Sequence, residues 1–280
     1  MIVRKWCKQG EALLKEIRET KTDKDEVALW HLGQCGFVYK NQDTVVYIDP
    51  LLNDLIEDGE TRRWYRWPFE PEQVEADFIV CTHGHADHLA VPTLVGIAKG
   101  NEHTKFVIPA AYRELLLENG IAEDRIVCLK AREKMELPGL SVYPVSAAHP
   151  VHEQDENGFD LALCYQMVMG DVSLLHMGDT YLTDQLFEDL KGLPKTDLFF
   201  PPINGGDFFR TARNCIGNLD MIESATLACV LKVDMTIPTH YDMVMDNTVD
   251  PLRFVQILWE MDPAAKCHIT GLGERFIYRK

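Results

Sequence analysis

Basic residues are scarce in this 280-residue chain: 28 Lys and Arg stand against 44 Asp and Glu, a formal net charge of −16. A surface of that sign repels a phosphate backbone and excludes a general nucleic-acid binder. An anionic small molecule would need a local positive site to offset the field. Long apolar runs are also missing, and none approaches the roughly 20 residues of a membrane-spanning helix. Met1–Lys15 carries charges but no continuous apolar stretch, so no secretory signal is expected there. Eight cysteines (Cys7, Cys35, Cys81, Cys128, Cys164, Cys215, Cys229 and Cys267) show no paired spacing. They read as reduced core thiols, and neither a disulfide frame nor a zinc knuckle is expected. No Pro/Gly/Ser-rich linker and no internal repeat divides the chain. The expectation is one cytoplasmic domain over 1–280, with 1–26 a leading helical segment and no membrane contact.

A hydrophobic fraction of 46% with 9% aromatics is enough for a sizeable core and excludes disorder. A short helix is expected over 10–20, with Leu13, Leu14 and Ile17 on one face. Strands follow at 27–32, 36–39 and 45–49, the last closed by Asp49-Pro50. Residues 53–75, with Arg62, Arg63, Trp64, Tyr65, Arg66 and Trp67, read as a long loop with helical turns. From Phe78 short apolar strands alternate with helices, with strands at 78–82, 105–108, 126–129, 140–146, 161–169, 172–177, 197–200, 235–238 and 266–270. Helices are expected at 91–99, 112–119, 183–190, 219–231 and 251–261. Two strand-rich halves, each trailed by helices, predict an α/β fold of two packed sheets with helices outside.

The densest chemical signal is Thr82-His83-Gly84-His85-Ala86-Asp87-His88, four metal-capable side chains in six positions directly after a strand. His83 and His85, two apart in extended backbone, point to one side and can clamp one ion. Asp87 and His88 then turn toward a second position, about 3.5–4 Å away in two-metal hydrolytic sites. One loop cannot complete two coordination spheres. The remaining ligands are expected just after other strands, where loops gather at one sheet end. His149, Asp179 and His240 qualify, with His152 an alternative to His149. A carboxylate such as Asp179 can bridge two ions, which a neutral imidazole cannot. His31 and His176, inside apolar strands, read as core histidines, and Cys81 as packing. Arg210, Arg213 and the Arg62/Arg63/Arg66 group are candidate anion clamps, since guanidinium forks match phosphate. Asn204-Gly205-Gly206 could present backbone N–H groups to a substrate oxygen.

The HxHxDH loop followed by a lone His, Gly178-Asp179 and Pro238-Thr239-His240 resembles the metallo-β-lactamase superfamily. With Trp30–Gly36, Asp49-Pro50, Asn204–Gly206 and the stretch 213–218, the chain is similar more narrowly to the bacterial L-ascorbate-6-phosphate lactonases. The resemblance implies a four-layer αββα sandwich of two mixed sheets. It implies His83, His85 and His149 around one ion, Asp87, His88 and His240 around another, and Asp179 between them. Zinc or manganese, with iron possible, would occupy one or both positions. The activity implied is hydrolysis of an anionic sugar lactone by hydroxide generated at the metals. Asp87 is expected to orient the nucleophile and shuttle a proton, Tyr241 to help stabilise the oxyanion, and Asn204, Arg210 and Arg213 to bind substrate. A homo-oligomer is expected from the same likeness. The rival readings are a phosphodiesterase of the same fold, a di-iron redox protein and a metal-binding scaffold without catalysis.

Overall fold

The computed structural model describes residues 4–57, 59–213 and 215–280. Helix α1 (Glu11–Glu19) precedes β1 (Glu26–Gly33), β2 (Gly36–Asn41) and β3 (Thr44–Ile48). A small ribbon, β4 (Ile56–Glu57) and β5 (Glu60–Thr61), interrupts the expected loop. Next come β6 (Phe78–Val80), α2 (Val91–Gly100), β7 (Lys105–Pro109), α3 (Arg113–Glu118) and β8 (Ile126–Leu129). The second half holds β9 (Met135–Leu137), β10 (Leu140–Ser146), β11 (Leu163–Met169), β12 (Val172–His176), α4 (Asp184–Lys191) and β13 (Leu198–Phe200). It ends with α5 (Phe208–Thr211), α6 (Met221–Leu231), β14 (Met235–Thr236), α7 (Pro251–Met261), β15 (Lys266–Cys267) and β16 (Arg275–Arg279). Among the described residues no helix is long and apolar enough to cross a membrane.

The strands form two mixed seven-stranded sheets, ordered β16-β1-β2-β3-β6-β7-β8 and β15-β14-β13-β12-β11-β10-β9. In each, three antiparallel pairings give way to three parallel ones. The alternation of β1 explains the layering. Val27 and Leu29 face the other sheet, whose Tyr165, Leu174 and Phe200 meet them. Ala28, Trp30 and Leu32 face outward against α1 and α2. On the far side α4, α6 and α7 cover Val145, Leu175 and Phe199 with Leu186, Leu227 and Phe254. Burial on both faces is what central strands of such a sandwich require. The result is the expected αββα order.

Several elements depart from the sequence pattern: the strands expected at 235–238 and 266–270 shorten to Met235–Thr236 and Lys266–Cys267, and those at 161–169 and 78–82 start or stop two residues inside. The strand expected to reach Thr82 stops at Val80, because the Thr82 N–H and hydroxyl both donate to the Asp49 carboxylate, at 2.8 and 2.7 Å. The chain was not expected to form a strand beyond 270, yet Arg275–Arg279 pairs antiparallel with β1, burying Tyr278 between the exposed Ile277 and Arg279.

The ends of β1, β3, β6, β10, β12, β13 and β14 lie at one edge of the sandwich, where ligand sites of α/β sheets form. Gly178 sits in one of these loops in the left-handed region, φ 55°. A Cβ there would lie 2.8 Å from the Thr82 side chain. Gly178→Ala is expected to cost about 3 kcal/mol, strain plus collision. Gly120→Ala, at φ 82° with open space around it, is expected to cost about 1 kcal/mol. Urea unfolding of both variants checks this, and equal losses would contradict the close packing of the Gly178 turn.

Candidate metal centre

The loop after β6 is held from below before it reaches any ligand. Asp49, fully buried at the end of β3, accepts the two Thr82 donors and lies 2.7 Å from His88 Nδ1. That contact assigns the proton to Nδ1 and leaves Nε2 aimed into the site. The Thr82 hydroxyl, already donating to Asp49, is 3.1 Å from His83 Nδ1 and receives its N–H, which frees His83 Nε2. Both Nε2 atoms are buried and have no hydrogen-bond partner. Gly84 has a local purpose as well: a Cβ there would meet the Tyr112 ring at 2.4 Å.

Two groups of donors converge above this support. His83, His85 and His149 form one, and Cys35, His88, Asp179 and His240 the other, the ligand atoms within each lying inside 4.8 Å of one another. Asp179 faces both: Oδ2 is 3.1 Å from His240 Nε2 and 3.7 Å from His149 Nε2, and Oδ1 is 3.3 Å from His88 Nε2. Asp87 Oδ2 lies 3.5 Å from His88 Nε2 and 3.8 Å from His240 Nε2 and accepts the Gln34 amide at 3.0 Å.

The electrostatics favour a cation here. Burial, with His88, His149 and His85 around it, holds His83 well below the usual imidazole range. Burial likewise lowers His149 to about 4. Burial opposes charge on His88, but Asp179, Asp87 and Asp49 outweigh it and raise that imidazole. Burial also opposes charge on Asp179, but His240 and His88 outweigh it and keep the carboxylate ionised. Buried imidazole nitrogens without partners beside two carboxylates form an N/O donor set that fits divalent ions.

Two turns that carry candidate donors are joined by a core histidine. His176 Nε2 donates to the Cys35 carbonyl at 2.9 Å, and its Nδ1 accepts the Gly178 N–H at 3.1 Å. Opposite, Gln34 adopts φ 56°, its N–H donates to Asp242 at 3.0 Å, and its carbonyl accepts the His240 N–H at 3.1 Å. His240 itself is left-handed at φ 58°, a strained position of the kind that collects at functional sites.

Around the donors opens a cavity of about 690 Å³, lined by His85, Asp87, His149, Asp179 and His240 and also by Arg62, Arg210, Arg213 and Asp246. Its size suits a small molecule. Arg210 is fixed by Asp207, by Asn247 at 2.7 Å and by the Asn204 carbonyl at 2.9 Å. Arg213 and Arg62 both approach Asp246, at 4.0 and 3.3 Å. Of the stretch 213–218, Asn214 lies outside the described residues.

Several expected positions fall elsewhere. Tyr241 does not line the cavity: its ring lies against His31 and its hydroxyl accepts from Arg4 at 3.0 Å, so no oxyanion role follows for it. Asn204 stands behind the wall, its amide spent on Asn247 at 3.0 Å and Asn218 at 3.2 Å. Arg63 is buried on backbone carbonyls of Leu51 and Tyr65, and Arg66 pairs with Glu70 over Trp67. His152 bridges Ser146 and Thr183 at 2.9 and 2.8 Å, which leaves His149 to meet His85. The sequence reads Cys35 only as a reduced core thiol and gives Gln34 no chemical role. The glycines on either side of them, Gly33 and Gly36, were the available signal of a tight turn at the site edge.

Fold and donor geometry are of the metallo-β-lactamase type, with two candidate donor sets at one sandwich edge. The family described as Beta-lactamase superfamily domain matches residues 44–241, and the chain belongs to it. A UPF0173 metal-dependent hydrolase from Staphylococcus aureus is 31% identical over 79% of this chain and 89% of its own length. Another from Archaeoglobus fulgidus is 29% identical over 89% of this chain and 98% of its own. Among solved structures, isothiocyanate hydrolase from Delia radicum gut bacteria superposes with a TM-score of 0.71 at 15% identity, covering 90% of this chain and all of that one. That last likeness concerns the fold alone.

Asp49→Asn leaves the volume unchanged but replaces a carboxylate that orients His88. It is expected to weaken zinc binding about 10- to 100-fold. Competition with a chromophoric chelator measures this, and unchanged affinity would remove Asp49 from the account.

Proposed function

We propose that this chain is a metal-dependent hydrolase whose substrate is a small anionic ester, a phosphorylated sugar lactone such as L-ascorbate 6-phosphate. The observation that carries the reading is the shared cavity, whose lining includes both metal donors and three arginines. The curated relatives named metal-dependent hydrolases support the reaction class. The same reading includes a homo-oligomer in the cytoplasm, acting on a small molecule and not on nucleic acid.

His83, His85 and His149 would hold one ion, and His88, His240 and Asp87 a second, with Asp179 shared. A divalent ion so held supplies Lewis acidity, which makes hydroxide available near neutral pH and offsets charge developing on a carbonyl oxygen. The remaining work belongs to the side chains. Asp87 opens onto the cavity, and opposing its burial the imidazoles His88, His240 and His85 hold its carboxyl low and ionised. It orients the attacking water and takes its proton while the oxygen adds to the acyl carbon. As the ring C–O bond breaks, that proton passes to the leaving alkoxide. The Gln34 amide, 3.0 Å from Asp87, restrains the carboxylate. Arg213 and Arg62 meet the substrate's anionic group, while Arg210, locked by three partners, shapes the wall.

Turnover of L-ascorbate 6-phosphate by protein loaded separately with manganese and zinc tests the reading. Asp87→Ala is expected to lower kcat by about 100-fold or more, the size of a lost proton-transfer group. Arg213→Ala is expected to raise KM for the phosphorylated lactone more than for the unphosphorylated one. No lactone turnover with either metal would overturn the lactonase reading and move the search to other esters and phosphodiesters.

A further inference from the structure

One buried nucleophile stands among the donors without a place in this scheme. Cys35 is wholly buried at the turn after β1, and its Sγ belongs to the same group of ligand atoms as His88 Nε2, Asp179 and His240. Its sulfur is 3.8 Å from Asp179 Oδ1, which is 3.3 Å from His88 Nε2, and the other Asp179 oxygen is 3.1 Å from His240 Nε2. A tetrahedral ion with one sulfur and several N/O ligands has ligand-to-ligand edges of about 3.3–3.6 Å, given its usual bond lengths. The three contacts at Asp179 lie within a few tenths of an ångström of that range, and all four ligand atoms lie within 4.8 Å of one another. His88 Nε2, buried and without a hydrogen-bond partner, points into the same group.

Resting on the metal-dependent reading, we propose that Cys35 is a ligand of the second ion, so that this position carries a thiolate beside His88, His240 and Asp179. Ligation exchanges the S–H proton for the ion. The proton leaves to water, and no oxidant takes part. Two features of the chain place the sulfur. The His176 ring ties the Cys35 carbonyl to the Gly178 N–H, which sets the spacing between the Cys35 and Asp179 turns. The left-handed Gln34, held by Asp242, turns the chain sharply just before Cys35. With sulfur completing the second set, Asp87 is released from ligation for proton transfer. A thiolate also biases the position toward zinc over manganese, since soft donors select thiophilic ions.

The test is the absorption spectrum of metal-stripped protein reloaded with cobalt(II). Visible d–d bands report binding in the histidine-rich centre, and a near-ultraviolet sulfur-to-cobalt charge-transfer band reports the thiolate. Both are expected in the unaltered protein. Cys35→Ser is expected to abolish the ultraviolet band. Cys215→Ser, at the thiol that lines the cavity, is expected to keep it. The ratio of zinc to manganese affinity is expected to fall at least tenfold in Cys35→Ser. Visible bands without a charge-transfer band in the unaltered protein would overturn the inference: Cys35 would be a thiol donating to Asp179 and Thr239, and the metal reading would stand. Absence of any cobalt spectrum would overturn both.

Discussion

The Asp49 carboxylate is the contact on which the centre depends. It is wholly buried, and its partners are the Thr82 N–H, the Thr82 hydroxyl and His88 Nδ1. Burying a carboxylate is costly unless its oxygens are satisfied, and here each is. The same contacts end β6 at Val80, orient two imidazoles and leave their Nε2 atoms without partners inside the protein. The orphaned His83 nitrogen is an energetic debt in the metal-free chain. A divalent ion would remove it, so binding and local order are coupled.

The sandwich serves this contact by geometry. Each sheet has the same progression from antiparallel to parallel pairings, so strands of both sheets end at one edge. One sheet brings Cys35, Asp49 and the His83–His88 loop, and the other His149, Asp179 and His240. Cross-links join the two at the site, including the Leu163 N–H to Thr82 carbonyl bond at 3.0 Å and the His83–Ala162 bridge. Charge follows the same division. The donors are carboxylates and imidazoles, and the guanidinium groups of Arg62, Arg210 and Arg213, two of them beside Asp246, are the positive groups of the same cavity in a chain of net charge −16.

How much of this was legible depended on whether a role was local. The His83–His88 loop announces itself because its donors are adjacent in sequence and follow an apolar strand. His149, Asp179 and His240 were readable from their places just after strands. Cys35 was not, because its chemistry arises from a left-handed turn pinned by Asp242, more than 200 residues away. Tyr241 misled by adjacency: the residue after a ligand points elsewhere, here toward Arg4. Asn204 and Arg63 look like substrate groups in a string of letters, and the structure spends both on internal hydrogen bonds. Strand Arg275–Arg279 was hidden by the charges flanking its apolar residues.

The central claim is that one edge of the sandwich holds two divalent ions in two donor sets sharing Asp179. Equilibrium dialysis of the metal-stripped chain against zinc, read by elemental analysis, addresses it directly. The account predicts saturation at two ions per chain, falling to one in His149→Ala, which removes a donor from only the first set. Saturation at fewer than two ions per chain, or a His149→Ala variant that still retains two, would contradict it.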